Sequence, residues 1–176
     1  MKNKKQLSVI CLTSLFSVLI CLCSWLYLPF SIPLTMQTFA VYSTLFCLGG
    51  KRGTAAIVLY ILAGIIGLPV FSGFMSGFGV LFGATGGFIL GFVLSGIIYT
   101  ILEKIIKNKL LNAFISLFFC YSSGTVWFFT VYSDKTGLHG LLYTLCICVF
   151  PFIIPDIIKL LLAYYISKRL KKHLPK

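Results

Sequence analysis

The stretch Pro151-Phe-Ile-Ile-Pro155-Asp156-Ile-Ile-Lys159-Leu-Leu-Leu-Ala163-Tyr-Tyr-Ile-Ser167-Lys-Arg-Leu170 is apolar almost throughout, yet it holds a carboxylate and an ammonium three residues apart. Residues at that spacing share a helical face, so Asp156 and Lys159 point the same way. If the helix crosses a membrane, two ionisable groups inside it are costly and by default mark a site that supplies partners. What the pair means therefore depends on whether the rest of the chain spans a bilayer.

The composition answers that. Of the 176 residues, 59% are hydrophobic and 10% are charged, against about 25% charged in soluble domains. The chain is read as an all-α integral membrane protein. Its net charge of +12 does not point to nucleic acid, because the basic residues are not spread over a wettable face. They sit in four short clusters at the ends of apolar runs: Lys2/Lys4/Lys5, Lys51/Arg52, Lys104/Lys107/Lys109 and Lys168/Arg169/Lys171/Lys172. The seven cysteines all lie within apolar runs and form no Cys/His cluster with zinc spacing, so they read as small buried residues and no metal is expected. The N-terminal run has no A-x-A-like cleavage site, and its length suits a retained first span.

No charge occurs between Gln6 and Gly50, or between Gly53 and Leu102, and each interval is about twice the roughly 20 residues that cross a bilayer. Each therefore holds two spans and a turn, the turns falling at Pro29–Pro33 and at Gly67–Pro69 with the glycines beyond. Six transmembrane helices follow, near 7–27, 36–50, 54–70, 85–102, 111–132 and 152–169, in a single domain over 1–176. A short helix within Leu138–Phe150 is expected to lie over the outer end. Two spans separate each basic cluster from the next, so all four clusters share the cytoplasmic side and both termini are inside. That parity puts Asp156 and Lys159 in the outer half of the last helix, beneath the glycine-rich 71–84 loop.

Little else can carry chemistry. Glu103 reads as a solvated loop charge, and Asp134 with Lys135 and Gly137 as an outer turn. His139 and His173 have no catalytic partners, and no paired carboxylates, H-E-x-x-H or Ser/His/Asp set can be assembled. Gly50-Lys51 imitates the end of a Walker A loop, but position 45 is Leu and position 52 is Arg. An enzyme is not expected, nor a cofactor. Asp156 suits N–H donors of a small polar ligand, and Lys159 suits a carbonyl or a carboxylate. The plainer alternative is a helix clamp in which the two charges only neutralise each other. Gln37, at the outer start of helix 2, either caps that helix or reaches the pocket. Tyr121 and Trp127 on helix 5 read as core or interface-belt aromatics, and are also rings on which an apolar fused ring would stack. Ser72 and Gly73 in the glycine-rich loop complete the ligand-binding candidates. Gly83-x-x-x-Gly87-x-x-x-Gly91 reads as a close-packing seam.

Five segments, Pro29-Phe-Ser-Ile-Pro33-Leu-Thr-Met-Gln37-Thr-Phe-Ala-Val41, Gly50-Lys-Arg-Gly53, Gly67-Leu-Pro-Val-Phe-Ser-Gly73, Gly79-Val-Leu-Phe-Gly-Ala-Thr-Gly-Gly-Phe-Ile-Leu-Gly-Phe92 and Pro151-Phe-Ile-Ile-Pro-Asp-Ile-Ile-Lys159, together resemble the BioY family. These are the biotin-specific substrate-binding (S) components of energy-coupling-factor (ECF) transporters. The resemblance implies a six-helix S-component fold with both termini cytoplasmic, and a biotin pocket near the outer surface in which Asp156 and Lys159 touch the ligand. It also implies a partner module of two ATPase subunits and a transmembrane coupling subunit, met within membrane lipid. Where the family commonly shows an Ala-x-x-x-Ala docking face on helix 1, this chain offers Thr13-x-x-x-Ser17 as the candidate. The rival readings are an S component for another small cyclic vitamin, and a structural or assembly protein of the membrane.

Overall fold

Each long apolar run becomes a helix in the computed structural model, which describes residues 2–30, 32–133 and 140–172. The order is α1 (Lys2–Trp25), β1 (Tyr27–Leu28), β2 (Leu34–Thr35), α2 (Gln37–Leu48), α3 (Gly50–Ile65), 3-10 turns at Ser72–Phe74 and Phe78–Phe82, α4 (Gly86–Ile105), α5 (Lys109–Trp127), a π-helical segment at Phe128–Ser133, α6 (Leu141–Cys148) and α7 (Phe150–Leu170). The two strands pair antiparallel, Tyr27 opposite Thr35 and Leu28 opposite Leu34. Among the described residues, four helical stretches are long and apolar enough to cross a membrane: Gln6–Trp25, Gly86–Ile105, Lys109–Val131 and Tyr143–Leu170. The expected turn at Asp134–Gly137, His139 and His173 fall outside the described residues.

Local chemistry sets the boundaries. Gly49, at φ +81°, both ends α2 and starts α3: its N–H donates to the Leu45 carbonyl (3.0 Å) while its own carbonyl accepts from Gly53 N (2.9 Å). A residue with a Cβ would be strained there. Asn108 caps α5, its Oδ1 accepting from Leu110 N (3.1 Å) and Leu111 N (3.3 Å). Pro151 sits in the first turn of α7, where a missing N–H leaves no bond unmade.

Two antiparallel seams of small residues hold the bundle. A Cβ added at Gly87 would lie 2.2 Å from Trp127 Cβ, and one at Gly91 2.9 Å from the Cys120 carbonyl oxygen, so α4 and α5 touch along their backbones. Gly83 of the expected three-glycine seam lies before α4, and its carbonyl accepts from Trp127 Nε1 (3.0 Å). Between α3 and α4 the same role falls to Gly96 against Thr54 and Gly50 against Thr100. The centre is α2, ten of whose twelve residues are buried. Leu15, Val18 and Leu22 of α1, Leu90, Leu94 and Ile97 of α4, and Ile154, Ile158 and Leu162 of α7 face outward, the inside-out apolarity that a bilayer permits. The segment around α6 packs against the site end, where Cys148 is buried with Ile32, Phe128 and Phe152.

Glu103 departs from its reading as a solvated charge. Its Oε2 accepts from Gly50 N at 2.8 Å, closing the start of α3 from the end of α4. A carboxylate meets a free helical N–H there and the positive end of the helix dipole. Glu103→Ala is expected to lower stability by about 1 kcal/mol, seen as a fall in the thermal unfolding midpoint in detergent. An unchanged midpoint would return Glu103 to the solvent.

Candidate ligand-binding site

The first turns of α7 carry Asp156 and Lys159 onto the buried side of that helix, 6% and 8% exposed. Lys159 Nζ donates to Asp156 Oδ1 at 2.8 Å and to the Thr35 carbonyl of the hairpin at 2.7 Å. Tyr121 Oη, from α5, donates to Asp156 Oδ2 at 2.6 Å. Each carboxylate oxygen thus has a donor, and the charge pair is tied to two other elements, as a buried pair must be to offset its desolvation. Opposite, Gln37 Nε2 donates to Tyr60 Oη of α3 at 2.6 Å, and Gln37 Oε1 accepts from Thr35 Oγ1 at 3.2 Å.

These groups line one cavity, walled in addition by Phe71 and Ser72 of the loop after α3, Phe88 and Phe92 of α4, Leu117 and Cys120 of α5, and Phe152 of α7. Its volume is about 60 Å³. Aromatic walls with a few convergent polar groups are what small-molecule sites are made of. The loop closing one side is held by α1: Trp25 Nε1 donates to the Pro69 carbonyl (2.9 Å), Ser24 Oγ donates to the Val70 carbonyl, and the Trp25 and Phe74 rings lie 4.9 Å apart. Gly77 N donates to the Gly64 carbonyl at 2.8 Å, pinning the far end of the same loop to α3.

Five of the residues singled out from sequence meet here: Asp156, Lys159, Gln37, Tyr121 and Ser72. Two do not. Gly73 is turned out at the surface of the loop with φ +70°, and Trp127 packs on Phe82 and the Gly83 carbonyl, away from the cavity. Thr13 and Ser17 are each 8% exposed, on the face of α1 turned into the bundle, with the Thr13 hydroxyl donating to the Val9 carbonyl. The outer surface of α1 is formed instead by leucine, isoleucine and valine. Sequence reasoning did not reach Tyr60 and Thr35. Tyr60 could have been noticed as a lone phenol in an apolar helix, whereas the Thr35 contact is a main-chain carbonyl and leaves no signal. Among the described residues, no group of three or more His, Cys, Asp or Glu side chains could hold a metal ion.

Known proteins bear on this geometry. The crystal structure of an S-component for biotin from an ECF-type ABC transporter superposes with a TM-score of 0.85, covering 98% of this chain and 95% of that one, at 23% identity. Among curated proteins, the biotin transporter BioY of Thermotoga maritima is 41% identical over 61 residues, a match that spans 34% of this chain and 36% of that protein. A probable biotin transporter BioY of Pyrococcus horikoshii is 31% identical over 141 residues, 80% of this chain and 81% of its own length. The biotin transporter BioY2 of Lactococcus lactis is 40% identical over 77 residues, 43% of this chain and 42% of that protein. A family model described as the BioY family matches residues 1–176. A match along the whole chain, and a relative aligned over most of both lengths, leave one conclusion: this chain belongs to the BioY family.

Proposed function

We propose that this chain is the biotin-binding S component of an ECF-type uptake transporter. It captures biotin outside the cell and hands it to a partner module of two ATPase subunits and a transmembrane coupling subunit. The observation that carries the reading is the buried Asp156–Lys159 pair at the wall of an aromatic cavity. A cyclic urea presents two N–H donors and one carbonyl, which the carboxylate, the ammonium and the Gln37 amide complement. Phe71, Phe88 and Phe92 suit the apolar ring fused to it. The present cavity is narrow, so a bicyclic ligand needs a wall to give. The loop between α3 and α4, tied to α1 and α3 by a handful of bonds, is the wall that can.

In this reading six helices cross the membrane, α2 and α3 being the two short ones. The basic clusters then lie in the cytoplasm with both termini, and the hairpin and loop face outside, in a multi-pass protein of the bacterial plasma membrane. The chain has no ATP site of its own, so the driving energy comes from the partner module. The test is titration of the purified full chain in detergent with biotin. Binding tighter than micromolar is expected, and its absence overturns the proposal. A second reading has an observation of its own. Because Asp156 and Lys159 are already satisfied by each other, by Tyr121 and by Thr35, the pair could serve as a clamp between α7, α5 and the hairpin. An S component for another cyclic vitamin would show itself by preferring that vitamin in the same titration.

A further inference from the structure

The cavity is electrically balanced. Among the described residues that line it, the ionisable carboxylate is Asp156 and the cation is Lys159, and they hold each other at 2.8 Å. Lys159 commits a second donor to the Thr35 carbonyl. A carboxylate arriving with a ligand therefore finds no surplus positive charge, although charge-assisted bonds are the strong ones. The other polar groups facing the cavity, among them Gln37, Tyr60 and Ser72, are neutral and suited to an amide-like ring.

A second observation concerns what lies beyond. Lys159 and Thr35 also form part of the wall of an adjoining cavity, whose remaining lining includes Leu26, Leu28, Leu34 and Met36. Leu26 and Leu28 are exposed, so this cavity opens at the surface. It is an apolar gutter leading away from the charge pair, fit for an alkyl chain and lacking any other cation among its described residues.

We infer that the site selects its ligand by the ring head and is indifferent to the charge at the end of the tail, so that biotin derivatives with the carboxylate capped as an amide, including amides of alkyl amines, are ligands too. The inference rests on the biotin reading. In it the gutter takes the extended tail while the ring stays among the aromatic walls.

The experiment titrates the purified full chain in detergent with biotin, with its primary amide and with its N-alkyl amide. The primary amide is expected to bind within about fivefold of biotin, and Leu28→Trp, which fills the gutter, to weaken the N-alkyl amide about tenfold more than it weakens biotin. Tight binding of biotin with more than a fivefold loss for the primary amide overturns the inference and leaves the biotin reading standing. An N-alkyl amide insensitive to Leu28→Trp overturns the path assigned to the tail. Failure of biotin itself to bind overturns the reading beneath both.

Discussion

Asp156→Asn is expected to weaken biotin binding about a hundredfold or more, since removing one member of a buried, hydrogen-bonded charge pair costs about 2–5 kcal/mol. The amide cannot balance the Lys159 ammonium, which stays buried among neutral acceptors, and Tyr121 loses a charged acceptor. Lys159→Ala should act on the same scale by stranding the carboxylate, and either single change should lower the unfolding midpoint as well. Those two readouts alone would not separate a ligand site from a clamp. The double substitution Asp156→Leu with Lys159→Met does so. Replacing a buried ion pair by apolar residues of similar volume is often neutral or stabilising, so the midpoint should return towards wild type while binding stays lost. A double variant that still binds biotin tightly would make the pair a clamp and move the site elsewhere in the cavity.

How much of this was legible follows from which signals are local. Asp156 and Lys159 were visible because charge inside an apolar run is rare, and their spacing alone put them on one face. Gln37 and Tyr121 were visible as polar tips in apolar surroundings. Trp127 lies six residues from Tyr121, about 120° away around the helix, so the two rings look in different directions. Thr13 and Ser17 share a face, but periodicity could not tell which side of a membrane helix turns to lipid, because lipid and core are both apolar. Glu103 reaches a partner 53 residues away, and Gln37 meets Tyr60 across 23. Contacts of that kind exist only once the helices are side by side.

The seam between α4 and α5 carries the second large expectation. Gly91→Val should push the two helices apart, because its new carbons meet the Cys120 carbonyl and thiol, the nearest at 2.9 Å. Overpacking costs about 1–3 kcal/mol in a well-packed core, and here the obstacle is backbone, which yields least. Cys120 is also part of the cavity wall. Displacement of α5 should therefore shift Tyr121 away from Asp156, and biotin affinity should fall at least tenfold together with the unfolding midpoint. Gly79→Ala is the matched control, since a Cβ there meets nothing within 4 Å and should leave both measurements unchanged. Equal behaviour of the two variants would mean that the seam does not set the geometry of the site.

The length of α2 has a consequence for how the protein sits in lipid. Twelve residues reach about 18 Å along the axis, well short of a hydrocarbon layer of about 30 Å. A helix so short, left against acyl chains, would force the bilayer to thin around its ends. Surrounded instead by its own chain on nearly every side, α2 never registers the thickness of the membrane. Hydrophobic mismatch then acts through α1, α3, α4, α5 and α7, whose apolar side chains face outward, and the helix that lends Gln37 to the cavity stays insulated from changes in lipid composition.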